Sequence, residues 1–154
     1  MSEATHAALL AKGREVLAEQ PFSRLLGARL TVLTPGRAEL ELTLRTELLQ
    51  QNGFAHGGVV SYLADNALTY AGGSALGFAV VTSEFKINYV RPAIGERLVA
   101  RARATHVSRS QAVCQCEVYA IGAGSEKLCA IAQGTIVRMG DSARSAPASK
   151  EGGE

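Results

Sequence analysis

The chain has 154 residues, enough for one domain with one hydrophobic core. It is 47% hydrophobic and 19% charged, a globular balance rather than a disordered one. A net charge of +2, the absence of tryptophan and the lack of any basic cluster interleaved with aromatics argue against nucleic acid or an anionic membrane as partner. No apolar run is long enough to span a bilayer, and the N-terminal segment lacks the basic-then-apolar order of a signal peptide. Cys114, Cys116 and Cys129 have neither disulfide-framework nor metal-site spacing, and His6, His56 and His106 do not cluster with them. The expectation is a cytoplasmic, reduced protein that needs no metal or redox cofactor.

In chain order, Leu9, Leu10, Val16 and Leu17 recur at helical spacing and predict a helix over 3–19, capped by Ser2 and closed by Pro21. Phe22 to Gly27 leads into a first strand over 28–34, and Pro35-Gly36 marks a turn. Residues 37–45 alternate as a second strand with Ala38, Leu40, Leu42 and Leu44 inward. Leu48-Leu49 interrupts the next loop and is expected to plug onto the core or a neighbouring subunit. The loop Gln50 to His56 runs into a mostly apolar helix from Gly57, which Gly72-Gly73 is expected to stop. A third strand over 79–90 is expected to place Val81, Ser83, Phe85, Ile87 and Tyr89 on one face and Thr82, Glu84, Lys86 and Asn88 on the other. Pro92 ends it.

Three more strands follow, over 97–107, 111–121 and 127–138. Their expected inward residues are Leu98, Ala100, Ala102 and Ala104; then Ala112, Cys114, Cys116, Val118 and Ala120; then Leu128, Ala130, Ala132 and Ile136. So many small inward residues fit a helix packed closely in the hollow of a curved antiparallel sheet. Residues 140–154 are small, polar and patternless, which predicts a disordered tail after a single domain over 1–139.

The central stretch carries the chemistry. Gly57-Gly58 is a poor helix start by propensity, but it lets a ligand approach the backbone closely. The first amides of a helix are unpaired and lie at the positive end of its dipole, so they can hold an anion or a carbonyl oxygen that becomes one. Helical spacing puts Gly58, Ser61, Asp65, Thr69 and Gly72 on one small, polar stripe of an otherwise apolar helix. Such a stripe marks a cleft or a subunit contact. An Asp there is either structural, bonded to a neighbouring loop, or chemical.

Gly53-Phe54-Ala55-His56-Gly57-Gly58, with Asp65 nine residues after the His, resembles the hot-dog-fold thioesterases, in particular the PaaI-like, phenylacetate-pathway branch. Val81-Thr82 and Asn88-Tyr89-Val90-Arg91-Pro92-Ala93 extend the similarity to roughly residues 20–140. The resemblance implies an α+β hot-dog fold, a sheet of about six strands wrapped around one long central helix, with an N-terminal helix added. It implies an acyl-CoA thioesterase in which Asp65 is nucleophile or general base and the Gly57 N–H is an oxyanion donor. It implies that His56 shapes the loop or contacts the thioester carbonyl and that Thr82 holds the attacking water. Gly58 and Tyr62 would line the substrate site, and Arg91, Arg109 and Ser110 would contact coenzyme A.

Relatives commonly carry Asn six residues before the His. Here that position is Gln50, with Asn52 two residues on, which leaves three alternatives: Gln50 takes the role, Asn52 reaches instead, or the role is lost. Leu48, Leu49, Phe54, Tyr62 and Tyr70 are candidates for the acyl pocket. The family arrangement also implies a homodimer with the site between subunits, and commonly a dimer of dimers. Two rivals remain open: a hydratase or dehydratase on the same fold, and a non-catalytic acyl-CoA binder or sensor.

Overall fold

The computed structural model describes residues 2–140; from 141 onward, the tail expected over 140–154 lies outside them. Helix α1 (Glu3–Glu19) begins where the Ser2 side chain accepts a hydrogen bond from the Thr5 N–H at 3.3 Å. Pro21 does more than close it. It opens a second short helix, α2 (Pro21–Leu26), where the missing proline N–H is no loss. The sequence suggested only an irregular lead here. Gly27 ends α2 at φ 77°, a left-handed conformation that favours glycine.

The remaining elements are β1 (Arg29–Thr34), β2 (Arg37–Thr43), a 3-10 turn (Thr46–Leu48), α3 (Gly57–Leu76), β3 (Val80–Tyr89), β4 (Arg97–Val107), β5 (Gln111–Gly122) and β6 (Ser125–Arg138). The strands form one antiparallel sheet in the order β1-β2-β4-β5-β6-β3, so β1 and β3 are its edges. α3 packs across one face and touches all six strands. Leu63, Ala64, Ala67, Leu68 and Ala71 of the helix are fully buried against Leu40, Leu98, Ala100, Ala112, Cys114, Val118 and Ala130. Each fully buried Leu contributes about 1.5–3 kcal/mol. Leu48, at 5% exposure, is the expected plug. This is the hot-dog architecture.

The structure corrects three details. Gly72-Gly73 does not end the helix, which runs on to Leu76 with Gly77 as its cap. A Cβ on Gly72 would stand 2.7 Å from the Ile136 Cβ, so this glycine serves the approach of helix to sheet. In β3, Ser83 is an extra residue: Thr82 pairs with Ile136 and Glu84 with Thr135. This bulge reverses the faces of the strand's first half. Val80 and Thr82 join Phe85 and Ile87 on the inner side, while Val81 is 46% exposed. In β6 a register shift at Cys129 pairs Leu128 with the outward-facing Tyr119, so Leu128 does not point into the core.

Candidate active site

The site is built on the two ends of β3 and the helix beneath it. His56 is the N-cap of α3, its Nδ1 accepting a hydrogen bond from the Gly58 N–H at 2.9 Å. A Cβ on Gly58 would lie 2.9 Å from that same nitrogen, so the cap itself calls for glycine. The His56 carbonyl accepts from Val59 and Val60. Among the described residues the Gly57 N–H has no protein acceptor, and Gly57 borders an open pocket of about 520 Å³. It is a donor at the positive end of a helix with room for an oxygen in front of it.

The approach loop is tied down at several points. Gln50 N–H donates to Phe54 O at 2.9 Å, His56 N–H to Leu48 O at 2.9 Å, and Ala55 N–H to Ala93 O at 3.0 Å. The Gln50 side-chain oxygen accepts from the Asn52 N–H. Gln50, Phe54, Gly57, Gly58 and Arg91 all line the pocket, whereas Asn52 is exposed and does not. Arg91 Nη1 donates to Leu128 O at 2.9 Å, which fixes its guanidinium at the rim.

Sequence reasoning missed Tyr89, which it placed in the core. Its hydroxyl donates to Gly57 O at 3.0 Å and meets Ser61 Oγ at 2.8 Å, fastening the end of β3 to the start of α3. The signal was its position directly before Val90-Arg91-Pro92, at the end of the strand.

Asp65 lies at the other end of β3. Thr82 Oγ1 donates to Asp65 Oδ1 at 2.7 Å. Its single proton is then spent, so toward Thr69 Oγ1, 3.0 Å away, it can only accept. Thr69 Oγ1 also lies 2.9 Å from the Asp65 carbonyl oxygen, and its one proton goes either there or to Thr82. Thr69 was visible on the polar stripe but carried no assigned role. The Asp65 Oδ2 has no protein donor among the described residues, so one carboxylate oxygen is held and the other is free. The bulge at Ser83 makes this possible, because it turns Thr82 toward the helix.

Not all the expected residues come together. Tyr62 turns toward α2: its hydroxyl donates to Ser23 Oγ at 2.6 Å and accepts from Asn66 Nδ2 at 3.0 Å. Burial raises the pKa of that hydroxyl, more than these hydrogen bonds lower it. Tyr70 is buried, its hydroxyl donating to Gly13 O at 3.1 Å, and it lines no pocket beside Gly57. Arg109 and Ser110 sit in the β4–β5 turn, where Ser110 O accepts from the Arg138 N–H. Arg138 ends β6, while Cys129, which lines the pocket, lies near its start. At 3.3 Å per residue, that turn and the pocket are roughly 30 Å apart within one chain. Among the described residues no three His, Cys, Asp or Glu side chains gather as metal ligands.

Residues 52–126 match the family model of the thioesterase superfamily. Acyl-coenzyme A thioesterase PaaI of Escherichia coli K12 is 31% identical over 97 residues, covering 62% of this chain and 69% of that protein. The solved structure of the E. coli PaaI protein from the phenylacetic acid degradation operon superposes with a TM-score of 0.77, covering 90% of this chain and 97% of that one. A thioesterase family protein from Silicibacter pomeroyi is 38% identical with a TM-score of 0.81, covering 86% of this chain and 99% of its own.

Proposed function

The chain belongs to the thioesterase superfamily and is a thioester hydrolase, and from that premise we propose that it cleaves acyl-CoA to a carboxylic acid and free coenzyme A. The observation that carries the reading is Asp65, a carboxylate with one oxygen held by Thr82 and the other free. In the proposed reaction Asp65 either attacks the thioester carbonyl carbon or takes a proton from the water that attacks it. The carbonyl oxygen gains the negative charge, and the Gly57 N–H donates to it. When the oxyanion collapses, the C–S bond breaks and the coenzyme A thiolate leaves and takes up a proton. If Asp65 was the nucleophile, water then hydrolyses the mixed anhydride on Asp65, releasing the carboxylic acid and restoring the carboxylate. Loss of one such donor typically costs about 3–4 kcal/mol in the transition state.

One chain does not complete this site. Gly57 and Asp65 are eight residues apart on one helix. That is roughly 12 Å along the axis, too far for both to reach one carbonyl group. β3 supplies the remedy. It is an edge strand with Thr82 and Asp65 near its start and Tyr89 and Gly57 at its end. If a second copy pairs with it antiparallel about a twofold axis, the start of one β3 lies beside the end of the other. Asp65 of one subunit then faces Gly57 of its partner, and two equal sites form. The same pairing moves the Arg109-Ser110 turn of one copy toward the Arg91 rim of the other, where both can meet coenzyme A phosphates. Gln50 lines the pocket and Asn52 does not, which supports Gln50 as the amide that orients the thioester.

The capping role of His56 also supports hydrolysis over hydration chemistry, since its Nδ1 is engaged with the Gly58 N–H. The test is thiol release from short, medium, long and aryl acyl-CoAs by the parent and by Asp65→Asn. Release that collapses in the variant is expected. No release from any thioester, with coenzyme A ligands still bound, would replace the enzyme by a sensor.

A further inference from the structure

From Gly58 to Thr69, the residues of α3 that are not buried are Gly58, Ser61, Tyr62, Asp65 and Thr69. Tyr62 belongs to this open strip. At 100° and 1.5 Å per residue it stands about 60° around the helix from Asp65 and about 4.5 Å nearer the N-terminus. Its hydroxyl is held by Ser23 and Asn66, so the ring cannot swing away. Phe22 of α2 meets that ring edge-on, with centroids 5.2 Å apart at 89°. Yet Phe22 is 57% exposed, and Leu25, one helical turn further on the same side of α2, is 67% exposed. Two large apolar side chains left open beside a catalytic strip call for a ligand.

We propose that Phe22 and Leu25 of α2, continued by the Tyr62 ring, form the wall that receives the acyl group once its carbonyl is at Asp65. This rests on the hydrolase reading and adds the residues that set its specificity. In the twofold pairing the partner's helix runs opposite to α3, so a thioester with its carbonyl between Asp65 and the partner's Gly57 has its sulfur and coenzyme A directed toward the partner's pocket, on the C-terminal side of Asp65. Its acyl part runs the other way along the strip, over Tyr62 and onto Phe22. The ring hydroxyl tether makes the wall rigid, so discrimination comes from contact area and not from closure. Acetyl groups end before they reach α2; octanoyl and phenylacetyl groups do not. Apolar pockets discriminate by about tenfold or more per group fitted.

The test compares kcat/KM for octanoyl-CoA, phenylacetyl-CoA and acetyl-CoA in the parent, Phe22→Ala and Phe22→Leu, with the oligomeric state of each followed by light scattering. The ratio of either larger substrate to acetyl-CoA is expected to fall about tenfold in Phe22→Ala and less in Phe22→Leu, with assembly unchanged. Phe22→Leu keeps most of the apolar volume and serves if the alanine variant does not fold. A ratio that is unchanged or raised overturns the wall. So does a uniform loss on all three substrates with altered assembly, which would make Phe22 a subunit contact. Absence of release by the parent would remove the hydrolase reading and this inference together, whereas parent release with unchanged ratios removes this inference alone.

Discussion

Thr82 gives its one proton to Asp65 and leaves the second carboxylate oxygen free. Asp65→Asn keeps an acceptor for Thr82 but not the nucleophile or base. It should fold with an unchanged melting temperature and lose about 10²- to 10⁴-fold in turnover; a variant that unfolds would make Asp65 structural. Thr82→Val removes one hydrogen bond to the carboxylate and should lower kcat about 3- to 10-fold, the worth of about 0.5–1.5 kcal/mol. The cysteines titrate differently. Burial pushes the Cys114 and Cys129 thiols up to about 11 and the Cys116 thiol up to about 12. A group whose pKa is raised by folding stabilises the fold below its unfolded value, here 9.0, and loses that stabilisation as pH climbs to the folded value. Urea stability should therefore decline between pH 9 and 12, and Cys116→Ala should decline less steeply; equal slopes would contradict it. The places of Asp65 on the helix and of His56 and Gly57 at its start were legible in sequence, because a carboxylate on an apolar helix and glycines at a helix start are chemically unusual. Tyr89 was not legible, because an aromatic in a strand is so often core.

The elements do their positioning through local exceptions to pattern. His56→Ala deletes the N-cap of α3 and should cost about 0.5–2 kcal/mol in denaturant unfolding. Gly72→Ala forces a Cβ to within 2.7 Å of Ile136, in a helix–sheet contact with no slack. It should cost about 1–3 kcal/mol. The contrast with a helix-stop role is direct: a stop glycine would carry a positive φ, and among these positions only Gly77 does, at 100°. The bulge in β3 is the sharpest case. Deleting Ser83 removes only the unpaired residue and should leave a strictly alternating strand with Thr82 still inward, so turnover should persist with the sheet intact by circular dichroism; loss of turnover would contradict this reading of the bulge. Period-2 reading gave β3 its length but put Thr82 on the outer face, since one extra residue leaves no mark in composition. α2 escaped for a similar reason: six residues after a proline are too few for helical spacing to declare itself.

At the scale of the molecule, the sheet wrapped on α3 leaves β3 as a long edge strand, with Thr82 and Asp65 toward its start and Tyr89 and Gly57 at its end. Among the described residues no helix is long and apolar enough to cross a membrane. The fold class was legible because the alternating strands, the single long helix and the small inward residues agree with one another. The expectation of a site between two subunits came from the resemblance alone, since periodicity does not say which strand is an edge. The most direct measurement is complementation. Asp65→Asn lacks the carboxylate, and Gly57→Val crowds the oxyanion donor beside Tyr89, whose ring a Cβ at Gly57 would already meet at 3.4 Å. Each variant alone should be inactive. Unfolded together and refolded at equal concentrations, half of the pairs are mixed and each mixed pair has one intact site, so roughly a quarter of parent thiol release should return. A mixture that stays inactive, though mixed pairs form, would contradict a site shared between subunits.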